Sequence, residues 1–175
     1  MVYLSAMIHK FKCCMLFTLV SLVSILNAQT PAEYEANYAK RITQEVINGV
    51  YIPIDLEDAY AELNRLSDPS GLGAFKSSPE DTIRRKLHFG LGRWILINWG
   101  LEDGSRISHY LKGKGISVPD DMVRVIIVTW HRYLNGRPLK LEEEIAIIAR
   151  RMEKEKAERE ARKKVISVEK RPHKE

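Results

Sequence analysis

Apolar positions return at helical spacing through most of this chain, and the breaks between the runs are marked by caps, prolines and glycines. From Ala32 to Asn48, Tyr34, Tyr38, Ile42 and Val46 fall four residues apart, which predicts a first helix stopped by Gly49. An extended connector over 50–54 surrounds Pro53. Asp55 then reads as an N-cap, and Leu56, Ala59, Tyr60, Leu63 and Leu66 form one stripe, so a second helix is expected to end before the turn cluster Asp68-Pro69-Ser70-Gly71. Ser78-Pro79-Glu80-Asp81 is a helix start, with proline at the first helical position and acids in the first turn.

The helix launched there is predicted over 79–98, with Gly100 beyond its end, and is expected to be the centre of the fold. Between Leu87 and Leu101 apolar side chains point in nearly every helical direction, and a helix that is apolar all round is one that others surround. His88, Arg93 and Asn98 interrupt it, and a membrane span would need roughly 20 apolar residues. Gly90 and Gly92, each costing about 1 kcal/mol against alanine in a helix, predict close approach of another backbone. Asp103-Gly104 is a turn, and Ser105 caps a short helix carrying Ile107, Tyr110 and Leu111, ended by Gly113 and Gly115.

Pro119-Asp120-Asp121 opens a further helix and Asn135-Gly136 closes it, with Val123, Ile126, Ile127, Trp130, Tyr133 and Leu134 on a broad arc and Arg124 and His131 opposite. The β-branched run over 125–129 suits a strand, but the separation of start and stop favours a helix. Leu139, Leu141, Ile145, Ile148 and Met152 carry a last helix that leaves as a charged tail. The expected fold is therefore all-α: a compact bundle of five to six helices around the central buried helix 79–98, with a charged C-terminal helical extension.

Ahead of this, Lys10 and Lys12 precede an apolar run from Cys13 to Leu26, then Asn27 and Ala28, the layout of an export signal cut after Ala28. Met7 is an alternative start to Met1, and a retained anchor is the competing reading of the run. Cys13 and Cys14 are the only cysteines, so the mature chain carries no thiol for a disulfide, a nucleophile or a thiolate metal site. The expected division is a signal over 1–28, an N-terminal helix over 29–48, a helical domain over 49–149 and a charged tail over 150–175, the protein being periplasmic or secreted.

Charge sharpens the partner question. The total of +5 divides into +2 in the signal, −2 over 29–149 and +5 over 150–175. A slightly acidic folded part gives no basic face for nucleic acid. The tail mixes signs, with Glu155 and Arg159, and Glu158 and Arg162, at favourable i,i+4 spacing, so it reads as a solvated helix; contact with an anionic surface is the alternative.

Tyr51-Ile52-Pro53, His88-Phe89-Gly90-x-Gly92-x-Trp94-Ile95, Asn98-Trp99, Gly104-Ser105-Arg106, Pro119-Asp120-Asp121-Met122 and His131-Arg132-x-Leu134-Asn135 together resemble an uncharacterised bacterial family, a helical domain of unknown function. The resemblance spans about Gly49 to Ile145. It implies the domain boundary, an export signal ahead, a charged tail behind and an envelope setting, and it carries over no catalytic residue.

The candidate binding residues are His88, Arg93, Asn98, Trp99, Arg106, Asp121 and His131. His88, His109 and His131, with Asp103 or Asp121, contain the donor types for zinc, but no His-x-x-x-His pair supports it, so no metal and no cofactor is expected. Asn98 falls within the stripe of Leu87, Leu91 and Trp94 and is expected to hold the backbone of the turn into Leu101. Arg93, beside Phe89 and Ile97, is expected to be buried and paired with Asp120 or Asp121. Arg106 is expected in a structural salt bridge, or joining backbone N–H groups around an anion. His88 reads as a core histidine and His131 as a surface one. No nucleophile elbow, phosphate loop or dinucleotide fingerprint occurs. The expected function is an exported, non-enzymatic helical interaction module binding a protein or envelope component. A small envelope hydrolase or metal-dependent enzyme, and an inhibitor or immunity-type protein of a periplasmic enzyme, are the alternatives.

Overall fold

A computed structural model describes residues 30–86 and 90–169. The expected signal, with both cysteines, lies outside them, as do Leu87, His88 and Phe89. The described residues form eight helices and one small hairpin: α1 (Pro31–Arg41), β1 (Val46–Ile47), β2 (Val50–Tyr51), α2 (Leu56–Leu66), α3 (Pro69–Ser77), α4 (Glu80–Lys86), α5 (Leu91–Asn98), α6 (Arg106–Gly113), α7 (Pro119–Leu134) and α8 (Leu141–Glu169). The chain divides into two compact units between Asn37 and Tyr38. In the first, Thr30 and Glu33 cap the start of α1 reciprocally, the Thr30 hydroxyl accepting from the Glu33 N–H and the Glu33 carboxylate from the Thr30 N–H. All that follows concerns the second unit.

The fold is mostly helical, as expected, but its centre is α7 and not the segment 79–98. α7 packs against α2, α3, α4, α5, α6 and α8, and eleven of its sixteen residues are buried. The β-branched run over 125–129 lies inside this helix, where its branches fill space between neighbours. The segment 79–98 is two helices. Gly90 stands at φ +62°, a conformation foreign to an α-helix and open mainly to glycine, so α5 begins afresh at Leu91 with its faces rephased. Trp99, Ile95, Leu101, Ile107, Leu111, Ile116, Met122, Ile126 and Trp130 form the heart of the core, with Ile52, Leu56, Tyr60 and Leu63 closing one side and Ile148 another.

Two local expectations change for reasons visible in the backbone. The helix expected over 32–48 ends at Arg41, and an antiparallel hairpin follows, Val46 opposite Tyr51 and Ile47 opposite Val50. Asn48 and Gly49 both have positive φ, as an Asn-Gly hairpin turn requires. The turn cluster at 68–71 is a helix start: the Asp68 carboxylate accepts from the N–H groups of Ser70 and Gly71, Pro69 takes the first turn, and α3 runs to Ser77. The expected caps at Asp55 and Ser105 are present, the latter as a capping box with Ser108. Among the described residues no helix is long and apolar enough to cross a membrane.

Candidate functional site

Two polar constructions surround α7. The first is a half-buried ionic cluster that ties α4, α7 and α8 together. Arg84 donates to Glu80 at 2.8 Å and to Glu144 at 2.5 and 2.9 Å; Arg132 donates to Glu80 at 2.7 and 3.1 Å, to Glu144 at 2.9 Å and to the Leu139 carbonyl at 2.7 Å. Arg137 approaches Glu80 to 3.5 Å. The hydrogen bonds from Arg132 and then Arg84 hold the Glu80 carboxyl down at about 2. Burial works to raise Glu144, but the bonds and charges of Arg84 and Arg132 override it and hold that carboxyl below its ordinary value. Both glutamates are thus ionised acceptors with donors on every side, which suits a clamp and not proton transfer.

The second is an open cleft of about 580 Å³ between the first turns of α7 and the outward half of α8. Val118, Asp120, Asp121 and Arg124 form one wall; Arg151, Met152, Glu153, Glu155, Lys156 and Arg159 form the other. At its base Asp121, 1 % exposed, accepts from Arg151 at 2.5 Å, and Glu155 stands 3.4 Å from the same guanidinium. Asp121 holds the Arg151 guanidinium more firmly protonated still. The other charges of the cleft face solvent.

The candidate residues that the structure describes do not assemble into one site. Among them Asp121 alone lines the cleft, as its floor. Arg93 is exposed on α5 and has no ion pair with Asp120 or Asp121 among the described residues, because the face it shares with Ile97, itself 59 % exposed, looks to solvent and not to the core. Asn98 donates back to the Trp94 carbonyl at 2.9 Å, one turn before its expected role; the turn into Leu101 is held by the Leu101 N–H on the Leu96 carbonyl. Trp99 is wholly buried, edge-on to Trp94 at 6.2 Å. Arg106 forms no salt bridge among the described residues; it donates to the Ile52 carbonyl and lies over the Tyr51 ring, fastening the hairpin to α6.

His131 is buried, contrary to its expected place on a polar surface, because α3 covers that turn of α7: Phe75 meets it edge-on at 5.4 Å and stacks on Trp130 at 4.5 Å. Arg137 lies 2.9 Å from its Nδ1, and since a guanidinium only donates, Nδ1 accepts and the ring proton sits on Nε2. His109 is exposed on α6, its Nδ1 3.1 Å from the Tyr38 hydroxyl. His88 lies outside the described residues. Among those described, no three His, Cys, Asp or Glu side chains are grouped to hold a metal ion.

Sequence reasoning passed over Glu80, Arg84, Arg132, Glu144 and Arg151. Arg132, set within the broadly apolar α7, was the available signal, since such a charge needs a carboxylate from another element.

Fold and cleft together define a small helical domain with a charged interhelical groove beside a projecting helix. Residues 52–134 match the model of a family described as Domain of unknown function (DUF6794), which shows the expected domain of unknown function for that span. No curated protein and no solved structure matches the chain.

Proposed function

We propose that this protein is an exported, non-enzymatic binding module whose docking surface is the α7–α8 cleft. One observation carries the reading: the cleft is walled on both sides by charged side chains that face solvent, while His109, His131, the Ser105 hydroxyl and the clustered glutamates elsewhere among the described residues are engaged in structural hydrogen bonds. Such a surface offers ion pairs and hydrogen bonds to a protein partner and has no nucleophile–base pair. Export rests on the signal-like segment over 1–28, and the envelope is the compartment where the partner is to be sought.

Photo-crosslinking tests this. A crosslinker placed at Lys156, on the cleft wall, should trap a defined protein adduct in an envelope extract, and one placed at Lys76, exposed on α3, should not. Equal labelling from both positions, or none from Lys156, would sink the proposal.

A further inference from the structure

We infer that the partner of the α7–α8 cleft is a second copy of this chain, related by a two-fold axis; the inference rests on the cleft being the docking surface. Its walls carry Arg124, Arg151, Lys156 and Arg159 against Asp120, Asp121, Glu153 and Glu155, four charges of each sign. A ligand of a single sign, such as a nucleic acid, a phosphorylated group or a metal cation, gains at some of these positions and loses at as many others. A protein surface with the same alternation of charge loses nothing.

Part of the set is already spent, since Arg151 takes up Asp121 and stands beside Glu155. Asp120 on the α7 wall and Lys156 and Arg159 on the α8 wall are exposed and have no oppositely charged group within ion-pair distance among the described residues. They line one cleft and do not meet across it. A two-fold interface is isologous, so every contact of one residue with another is made twice. An axis through the cleft sets the Lys156 and Arg159 of each copy against the Asp120 of the other, which pairs on both sides three of the charges that a single copy leaves outside ion-pair distance, while Arg124 and Glu153 of the same lining keep their signs in balance.

Val118 and Met152, 37 % and 40 % exposed, lie in the same lining and supply apolar area at the centre of such a contact. From Met152 to Lys163 α8 is exposed at every position, leaving it open to a second chain. Its apolar residues form no seam there, so the two copies meet through the cleft and not as a coiled coil.

Sedimentation equilibrium of the chain from Gln29 onward, over about a hundredfold range of concentration, tests the inference. The expected result is a monomer–dimer equilibrium that weakens as salt is raised. Asp120→Lys and the double variant Lys156→Glu/Arg159→Glu should each weaken it by about tenfold or more, and mixing the two should restore a heterodimer, because the reversed charges match again. Melting curves establish that these surface variants remain folded. A monomer at every concentration, with Lys156 still crosslinking to a different protein, overturns the second copy and leaves the docking surface standing. A dimer indifferent to both variants overturns this geometry. A monomer with no crosslink from Lys156 overturns both readings.

Discussion

At the scale of single residues, Glu144 has the largest consequence for its size. It is 1 % exposed, lies on α8, and supplies a counter-charge to Arg84 of α4 and Arg132 of α7 at once. Its net value against an apolar substitute is small, but removing it strands two arginines that cannot shed their protons. Glu144→Ala should therefore cost about 3–5 kcal/mol in denaturant unfolding at neutral pH, where Glu143→Ala, at an exposed neighbour, should stay within about 0.5 kcal/mol. The sign of the pH dependence follows from the same pairs. Glu80 and Glu144 have folded-state pKa values below the ordinary 4.5, Glu80 at about 2, so their contribution is fully present above about 4.5 and is lost as pH falls towards 2. Wild type should lose stability through that window, and Glu144→Ala should lose less, having forfeited its share already. Spacing showed these residues as members of amphipathic helices, but not as partners, because Arg84 and Glu144 stand 60 positions apart.

At the scale of elements, the end of α1 shows how a glycine records a neighbour. Gly104 stands at φ +94°, and a Cβ there would fall 2.3 Å from the Tyr38 ring, while Arg41 donates to the Gly104 carbonyl at 2.9 Å. The last turn of α1 is thus seated on the turn before α6. Gly104→Ala should lower the melting temperature through both strain and the displaced ring, and adding Tyr38→Ala should return only the steric part. Full recovery in the double variant would show that the backbone conformation carries no cost. Capped helices such as α2 and α6 were legible because an N-cap, a stripe and a stop lie within one local stretch. α3 was hidden although Asp68-Pro69 carries the same signal as Ser78-Pro79, because Gly71 and Gly73 dilute its propensity. The hairpin was hidden because Gly49 of its Asn-Gly turn also serves as a helix stop.

At the scale of the molecule, the matched span 52–134 is not a self-sufficient body. It ends before Glu144, Ile148 and Arg151, which neutralise Arg84 and Arg132, close one side of the core and pair with the buried Asp121. A chain ending at Leu134 should lack a cooperative thermal transition by circular dichroism, whereas one ending at Lys156 should keep nearly the full stability of the longer chain. The expected boundary at 150 also falls inside this anchor, because α8 is continuous through it and Arg151 holds the floor of the cleft. Tail deletions meant to probe binding should therefore begin after Lys156 if they are to leave the fold intact.

The sequence by itself determined the helical class, most helix starts and the family resemblance, over a span longer than the matched 52–134, since each rests on residues within a few turns of one another or on ordered motifs. Tertiary structure decided which helix lies at the centre. Periodicity reports how much of a helix is apolar, and both 79–98 and α7 read as broadly apolar; only the positive φ at Gly90 and six surrounding neighbours gave the central place to α7. It also decided the charged pairings between helices and the cleft, because a salt bridge between distant helices leaves no periodic trace in either one.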